Sequence, residues 1–205
     1  NVPRLSVHDL SSDFDSSMRE LLSQLEKYQP ALNFGVNGTP LQNTLNYLQS
    51  LGARGVLVQK DAQDPDFLAE HSAYYTKWTY KIQRFCDRLH FFSEPPSNRD
   101  ALEALDGYRD SDYLGFITLR TIAMSPVGAT ILRSNQCDDA SFIKVKDCFE
   151  VHLAGRKFEV HGTPFMQQDN AVGACAQTSV WMALRSLRSK EGRSAFNPAE
   201  ITNAA

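Results

Sequence analysis

The segment 167–175, near the end of the chain, has the residue types and the spacing of a nucleophilic site. Gly173-Ala174 leads directly into Cys175, which opens a long run of helix-forming residues, and Gln167 and Gln168 lie one loop upstream. A helix N-terminus carries partial positive charge, which lowers the pKa of a thiol there and favours the thiolate. An upstream side-chain amide can donate to the oxyanion that forms when a thiolate attacks a carbonyl. The pattern predicts a cysteine nucleophile; the alternative is a buried cysteine with no chemistry.

The segment around Cys175 resembles the nucleophile segment of papain-like cysteine peptidases, most of all their bacteriocin-processing and phytochelatin-synthase-like branches. The Gly-[Ser/Ala]-Cys core of that family matches Gly173-Ala174-Cys175. The resemblance implies a thiolate at Cys175, an oxyanion donor at Gln168 with Gln167 as the fallback, and a histidine that an Asn or Asp orients. The family places its glutamine where this chain has Asp169, so one inserted loop residue separates the two patterns.

The histidine that such a site requires is not obvious in this sequence. A cysteine hydrolase needs a general base or an ion-pair partner. In papain-like folds this histidine follows the cysteine, so the resemblance implies that it belongs to a C-terminal part that this sequence lacks. Within the chain, His161 is the candidate partner because it lies just before the glutamine loop. The five histidines, all of which precede Cys175, are His8, His71, His90, His152 and His161.

These features predict a thiol hydrolase, or thiol protease, that cleaves a peptide or amide bond through an acyl-enzyme on Cys175. An acyltransferase would use the same intermediate, so the sequence leaves both reactions open. The expected partners are a peptide or protein substrate and the missing C-terminal segment. The alternative is a non-catalytic, peptidase-like interaction or regulatory domain, which the lack of a downstream histidine favours.

Composition narrows the class of protein. The 205 residues carry a net charge of −3, and no long block of one sign occurs, so we expect no nucleic-acid partner. No apolar run is long enough to span a membrane, so we expect no membrane partner. None of the cysteines has zinc-site spacing, so we expect no metal and no cofactor. We expect free thiols in a reducing cytoplasm, with Cys86 in the core, although Cys137 and Cys148 could pair in an exported protein.

The first half of the chain reads as mostly helical. Apolar periodicity predicts a helix over 15–27 with Ser12 or Asp13 as its cap, and Thr39-Pro40 begins a second helix that Gly52 closes. An aromatic-rich stretch from Asp64 to about residue 92 predicts the longest helix, and a short helix follows over 99–105. A single strand is expected at 55–59. This half is predicted to be a helical N-terminal region, 1–107.

The second half reads as an antiparallel sheet followed by the helix that carries Cys175. Strands are predicted over 113–120, 127–132, 143–145, 149–153 and 157–160, and Ala154-Gly155 predicts a hairpin between the last two. The helix after Cys175 is apolar around much of its circumference and is expected to be buried. Separate runs of helices and strands predict an α+β fold, with 108–205 as a β-rich region plus the start of a papain-like peptidase domain.

Overall fold

The computed structural model describes residues 4–25, 39–77, 82–122, 125–134, 146–168, 175–190 and 196–204. Seven strands form one sheet in the order β1-β2-β3-β4-β5-β7-β6, and every neighbouring pair is antiparallel. The strands are β1 (Leu5–Asp9), β2 (Gly55–Ala62), β3 (Cys86–Phe92), β4 (Tyr113–Leu119), β5 (Val127–Arg133), β6 (Asp147–Leu153) and β7 (Arg156–Phe165). The mixed α/β class is therefore confirmed.

Six α-helices accompany the sheet among the described residues. Four of them begin at a side chain that accepts backbone N–H bonds, and these N-caps are Asp13, Thr39, Asp64 and Asp100. Such caps satisfy N–H groups that have no partner inside the helix. The helices are α1 (Phe14–Gln24), α2 (Pro40–Ser50), α3 (Pro65–Ala73), α4 (Ala101–Gly107), α5 (Cys175–Lys190) and α6 (Pro198–Ala204). Among the described residues, no helix has both the length and the apolar character needed to cross a bilayer.

The sheet curls so that its two faces bury different apolar cores. On one face, α1 and α2 pack against strands β2 to β5 through residues such as Leu22, Leu48 and Phe91. On the other face, the β6–β7 hairpin folds toward β2 and β3, so that Val151 and Phe158 join one core with Leu57. Alternating side chains on the central strands supply these two cores, as Phe91 and Phe92 of β3 do.

The remaining helices cover the two ends of the curled sheet. Helix α4 contributes Leu105 to the core near the start of β4. Helix α3 lies at the opposite end, where Phe67 packs against Ala62 and Cys86. Helices α5 and α6 lie at this same end, where α6 contacts α3 and α5 contacts α6, β6 and β7. The candidate nucleophile helix is therefore seated where β5 begins and β7 ends.

Several predicted elements are confirmed. Helices α1, α2 and α4 and strands β2, β4, β5, β6 and β7 all lie where periodicity and capping residues place them. The hairpin between β6 and β7 is also confirmed: Ala154 and Gly155 have φ of 46° and 89°, as a tight turn with two left-handed residues requires. The strand expected at 143–145 lies outside the described residues.

The prediction of one long aromatic helix from Asp64 to about residue 92 is wrong. Helix α3 ends at Ala73, and Cys86–Phe92 is the central strand β3, which pairs with β2 and β4. Almost every residue of β3 is buried because the strand has a packed layer on both faces. A strand buried on both faces has no clear period of two, so its apolar run was indistinguishable from the continuation of a helix.

The prediction that residues 1–107 form a helical region is wrong for a related reason. Strands β1, β2 and β3 all lie before residue 107, and helices alternate with them instead of preceding the sheet. Strand β1 is a short edge strand with a polar middle, Ser6 to His8, so its hydrophobic signal is weak. The boundary at residue 107 stays a prediction, although β3 and β4, on its two sides, pair directly.

The expectation of a buried α5 is also wrong. Trp181 and Thr178 are buried, but Val180 is 41% exposed and Leu187 is 50% exposed. Helix α5 packs against α6 and against β6 and β7, but these elements do not cover it on all sides, so some of its apolar residues stay exposed.

Candidate functional site

Cys175 is the first residue of α5, which runs for 16 residues. The side chain of Cys175 and the residues from Asp169 to Ala174 lie outside the described part of the chain. The structure does define the platform of Cys175, by which we mean the residues that hold α5 against the sheet. Trp181, one and a half turns into the helix, is 1% exposed and packs against Ala129 of β5 and Met166 just after β7.

Asp66 of α3 fixes the orientation of α5. Its carboxylate accepts a hydrogen bond from Trp181 Nε1 at 3.3 Å and from Arg185 Nη1 at 2.6 Å. The Arg185 guanidinium also lies over the Trp181 ring, 4.9 Å from its centroid. Burial raises the pKa of Asp66, and the positive charge of Arg185 offsets part of this increase. Two neighbouring side chains on α5 are thus tied to one buried carboxyl group.

Arg120, just after β4, holds the segment by which the chain leaves β7. The side chain is 1% exposed, and Nη1 donates to Glu70 Oε2 of α3 at 3.0 Å. Nη2 donates to the backbone carbonyls of Ser125 at 3.0 Å and Gln167 at 2.9 Å. A buried guanidinium satisfies several acceptors at once because its donors lie in a fixed plane. The start of the loop toward Cys175 is therefore held by a charged, buried group.

The two candidate oxyanion glutamines have different surroundings. The Gln167 N–H donates to Val127 O at 3.0 Å, and Gln167 Oε1 accepts from Val127 N–H at 3.2 Å, so this side chain extends the β5–β7 pairing. Gln168 is exposed, and its backbone carbonyl accepts from Ser125 Oγ at 2.9 Å. Both glutamines thus lie at the end of the sheet on which α5 packs, and the Gln168 side chain is the one that faces solvent.

His161, the candidate partner from the sequence, lies on the other face of the sheet from α5. Trp181 of α5 packs on Ala129, which shares a face with Ile131, two residues along β5. Ile131 is paired with Pro164, and paired residues share a face. Side chains alternate between the two faces of a strand, and His161 is an odd number of residues from Pro164. His161 therefore lies on the opposite face, where it is exposed to solvent. The structure does not bring His161 to the platform that carries Cys175.

The other histidines also have local roles or different locations. His90 is fully buried in β3 beside the Tyr113 hydroxyl, 2.9 Å from Nδ1, and burial holds its pKa well below the usual value. His71 Nε2 lies 2.8 Å from the Ile82 carbonyl. His8 lies 3.0 Å from Ser6 Oγ on β1. All five histidines are described, and His152 shares the outer face of the β6–β7 hairpin with His161.

That outer face holds a cluster that the sequence analysis missed. Cys148 is paired with His161 across the hairpin, and Glu159 lies diagonally opposite Cys148. The Cys148 thiol donates to Glu159 Oε2 at 3.8 Å, and the ligand-type atoms of all three residues lie within 4.8 Å of one another. Partial burial and the Glu159 carboxylate raise the pKa of the Cys148 thiol. The signal that would have found the cluster is the predicted turn at Ala154-Gly155, which fixes every cross-strand pair.

The described cysteines are free thiols. Cys86 is buried in β3 rather than in a helix, and its Sγ donates to the Ala62 carbonyl at 3.3 Å. Cys86 is fully buried, so its expected place in the core is confirmed, and this burial raises its pKa to about 12. Cys148 is free as well, and Cys137 lies outside the described residues.

Two surface cavities lie away from the candidate oxyanion residues. A polar cavity of about 1000 Å³ lies between β1, α1 and the segment 96–99, and His8 and Glu20 line it. An apolar groove of about 440 Å³ lies between α5 and α6, where Val180 and Phe196 line it. Neither cavity is lined by Gln167, Gln168 or His161, so size alone does not locate the predicted chemistry.

Comparison with known proteins does not assign this chain to a family. We found no family model, curated protein or solved structure that matches this chain. Any assignment of function therefore depends on the residues and their geometry.

Proposed function

We propose that this chain carries the nucleophile of a papain-like thiol hydrolase that cleaves a peptide or amide bond, with Cys175 as the attacking residue. The observation that carries the proposal is that α5 begins at Cys175 itself. The N–H groups of the first helical turn have no partners within the helix, and the helix dipole adds about half a positive charge there. Both effects favour a thiolate at this position over a neutral thiol.

Anchoring of the helix supports the same proposal. A nucleophile has to be held in place by elements that do not shift during the reaction. Trp181 and Arg185 tie α5 to Asp66, and Met166 packs against the same tryptophan. These contacts fix the helix from one and a half turns beyond Cys175 onward.

Gln168 is the better candidate for the oxyanion donor. Its side chain is exposed, whereas the side-chain oxygen of Gln167 accepts a backbone hydrogen bond from Val127. In the proposed reaction, the Cys175 sulfur bonds to the carbonyl carbon while Gln168 donates to the oxyanion. The C–N bond then breaks, and the amine leaves with a proton from a histidine. Water hydrolyses the resulting thioester and restores the thiol.

The histidine in this scheme is assigned to a further segment of the protein. His161 and His152 lie on the outer face of the hairpin, and His90 is buried. His71 lies against a backbone carbonyl, and His8 lies on the edge strand β1. We therefore do not propose any of these five histidines as the base for Cys175.

The placement of His161 also favours a second candidate function. A peptidase-like domain without a base beside its cysteine would serve as an interaction or regulatory module. The two functions differ in one requirement, because only the hydrolase needs the sulfur of Cys175. A regulatory module would tolerate Cys175→Ala.

The test is hydrolysis of a quenched fluorescent peptide library by the full-length protein and its variants. Cys175→Ala is expected to lower the rate at least about a thousandfold, because loss of a nucleophile removes the covalent route. Cys137→Ser is the matched control and should retain the rate of the unchanged protein. Hydrolysis that persists in Cys175→Ala would rule out the proposed nucleophile.

A further inference from the structure

The outer face of the β6–β7 hairpin presents a ladder of three polar cross-strand pairs. From the open end toward the turn these pairs are Cys148 with His161, Glu150 with Glu159, and His152 with Lys157. The opposite face of the same strands carries the buried side chains of the core, such as Val151 and Phe158. Backbone pairing along the whole hairpin therefore fixes the spacing of the polar groups.

We propose that Cys148, Glu159 and His161 bind one Zn²⁺ ion on this outer face. The three residues supply sulfur, oxygen and nitrogen, which are the donor types that zinc takes in proteins. Their ligand atoms already lie within 4.8 Å of one another. This site is separate from Cys175 and does not depend on the proposed hydrolase activity.

The spacing of the ligand atoms fits a tetrahedral ion. Zinc binds a thiolate at about 2.3 Å and a carboxylate oxygen at about 2.0 Å, so a tetrahedral arrangement separates the two ligand atoms by about 3.5 Å. Cys148 Sγ and Glu159 Oε2 are 3.8 Å apart. A ring nitrogen of His161 lies within 4.8 Å of both atoms, so side-chain rotations that shorten this spacing would place all three on a common ion.

The surroundings of Glu159 leave one oxygen directed at the proposed ion. Lys157 Nζ lies 3.3 Å from Glu159 Oε1, while Oε2 is the oxygen near Cys148. The lysine therefore orients the carboxylate from its far side, as outer partners of metal ligands do. Lys157 also bonds Glu150 Oε1 at 2.7 Å, which keeps that second carboxylate with the lysine.

The geometry gives the ion three protein ligands and leaves the fourth position for water. Glu159 and His161 are exposed, so solvent reaches this position directly. Strand β6 is the edge of the sheet, and Cys148 is its ligand, while the other two ligands are on β7. Zinc would therefore fasten the edge strand to its neighbour and stabilise the folded state by mass action.

The sequence spacing hid this set of residues. Cys148 and His161 lie far apart along the chain and do not form one of the short motifs by which zinc sites are recognised. The antiparallel hairpin makes them direct neighbours. The expectation that no metal binds came from linear spacing, and the pairing of the strands is the reason to revise it.

The test uses the 205-residue chain, with Zn²⁺ in calorimetry and Co²⁺ as a spectroscopic probe. Co²⁺ in a tetrahedral site with one thiolate gives intense visible bands and a sulfur-to-cobalt charge-transfer band. We expect one Zn²⁺ per chain with micromolar or tighter affinity, and a charge-transfer band that Cys148→Ser abolishes. Glu159→Gln and His161→Gln should each weaken binding by about 100-fold or more, since outer partners alone are worth 10- to 100-fold.

Two matched controls make the result specific. His152→Gln removes a histidine from the same face of the same hairpin, and Cys175→Ser removes the proposed nucleophile; neither should change Zn²⁺ affinity or the Co²⁺ spectrum. Zn²⁺ should also raise the unfolding temperature of the unchanged chain but not of Cys148→Ser. The proposal is overturned by the lack of stoichiometric binding, by a charge-transfer band that survives in Cys148→Ser, or by one that disappears in Cys175→Ser.

Discussion

Arg120 Nη1 lies 3.0 Å from Glu70 Oε2, and the two side chains are only 1% and 6% exposed. This ion pair joins the end of β4 to α3. Nη2 of Arg120 donates to the carbonyls of Ser125, Val127 and Gln167, so one guanidinium connects four segments of the chain. Its position makes it the main polar support of the end of the sheet where the candidate site lies.

We predict that Arg120→Met lowers the free energy of unfolding by about 3–5 kcal/mol. The variant removes the cation that lies 3.0 Å from the buried Glu70 carboxylate, and keeping this carboxylate buried without the Arg120 charge is the main cost. Urea denaturation monitored by circular dichroism measures the change. Arg54→Gln is the control, because the Arg54–Glu94 pair is about half exposed and spans 3.7 Å, so its loss should have little effect. Equal shifts in the two variants would mean that Arg120 has no special structural role.

We predict that the contribution of Asp66 to stability decreases as the pH rises. Its pKa is raised in the folded state, so the folded protein binds this proton more readily than the unfolded chain does. The contribution is therefore fully present below the ordinary value of 3.8 and is lost as the pH rises through the folded-state pKa. The free energy of unfolding of the unchanged protein, minus that of Asp66→Asn, should increase on acidification from about pH 7.

Asp112→Asn is the matched control for this pH dependence. Burial alone would raise the pKa of Asp112, but hydrogen bonds from Arg109 bring it below the usual value. The contribution of Asp112 is thus present above its ordinary pKa and is lost as the pH falls through the folded-state pKa, the opposite sign from Asp66. If the Asp66 difference had the same sign as the Asp112 difference, the ion pair with Arg185 would outweigh burial.

We predict that Gly115→Ala destabilises the protein much more than Gly155→Ala. Gly115 has a φ of 118°, and an added Cβ would meet the Ile131 carbonyl oxygen of the adjacent strand. Gly155 has a φ of 89° in the hairpin turn, with no atom within 4 Å of an added Cβ. We expect a loss of about 1 kcal/mol for Gly155→Ala and more than about 2 kcal/mol for Gly115→Ala. Thermal unfolding of both variants measures the difference, and similar losses would mean that β4 and β5 separate easily at this point.

The sequence predicts those elements whose signals are local. Capping residues at Asp13 and Thr39 and the turn at Ala154-Gly155 specify their structures within a few residues, and each was found as expected. The strand β3 could not be predicted in this way, since its burial on both faces depends on β2, β4 and the layers that cover them. No glycine or proline separates α3 from β3, so no local residue marked the change from helix to strand.

In the candidate site, too, only the features with local sequence signals could be predicted. The start of a helix at Cys175 follows from the short motif around this residue and was found where expected. The supports of this region were not predictable, because Asp66 and Arg120 come from distant parts of the chain and meet it only through the fold. The face of the sheet on which His161 lies follows from the register between β5 and β7, which the sequence alone did not determine.

The pH dependence of Cys175 alkylation tests the proposed nucleophile most directly. Iodoacetamide labelling of the folded chain, followed for each cysteine by peptide mass spectrometry, gives the thiolate fraction at each residue. The raised pKa of Cys148 and the buried Cys86, with a pKa of about 12, provide internal references for slow and absent labelling. We predict that Cys175 reacts at least about ten times faster than Cys148 near pH 7, with its half-maximal rate below about pH 7.5. A rate for Cys175 that increases only above about pH 8.5, as for an ordinary thiol, and never exceeds that of Cys148 would contradict a thiolate at the start of α5.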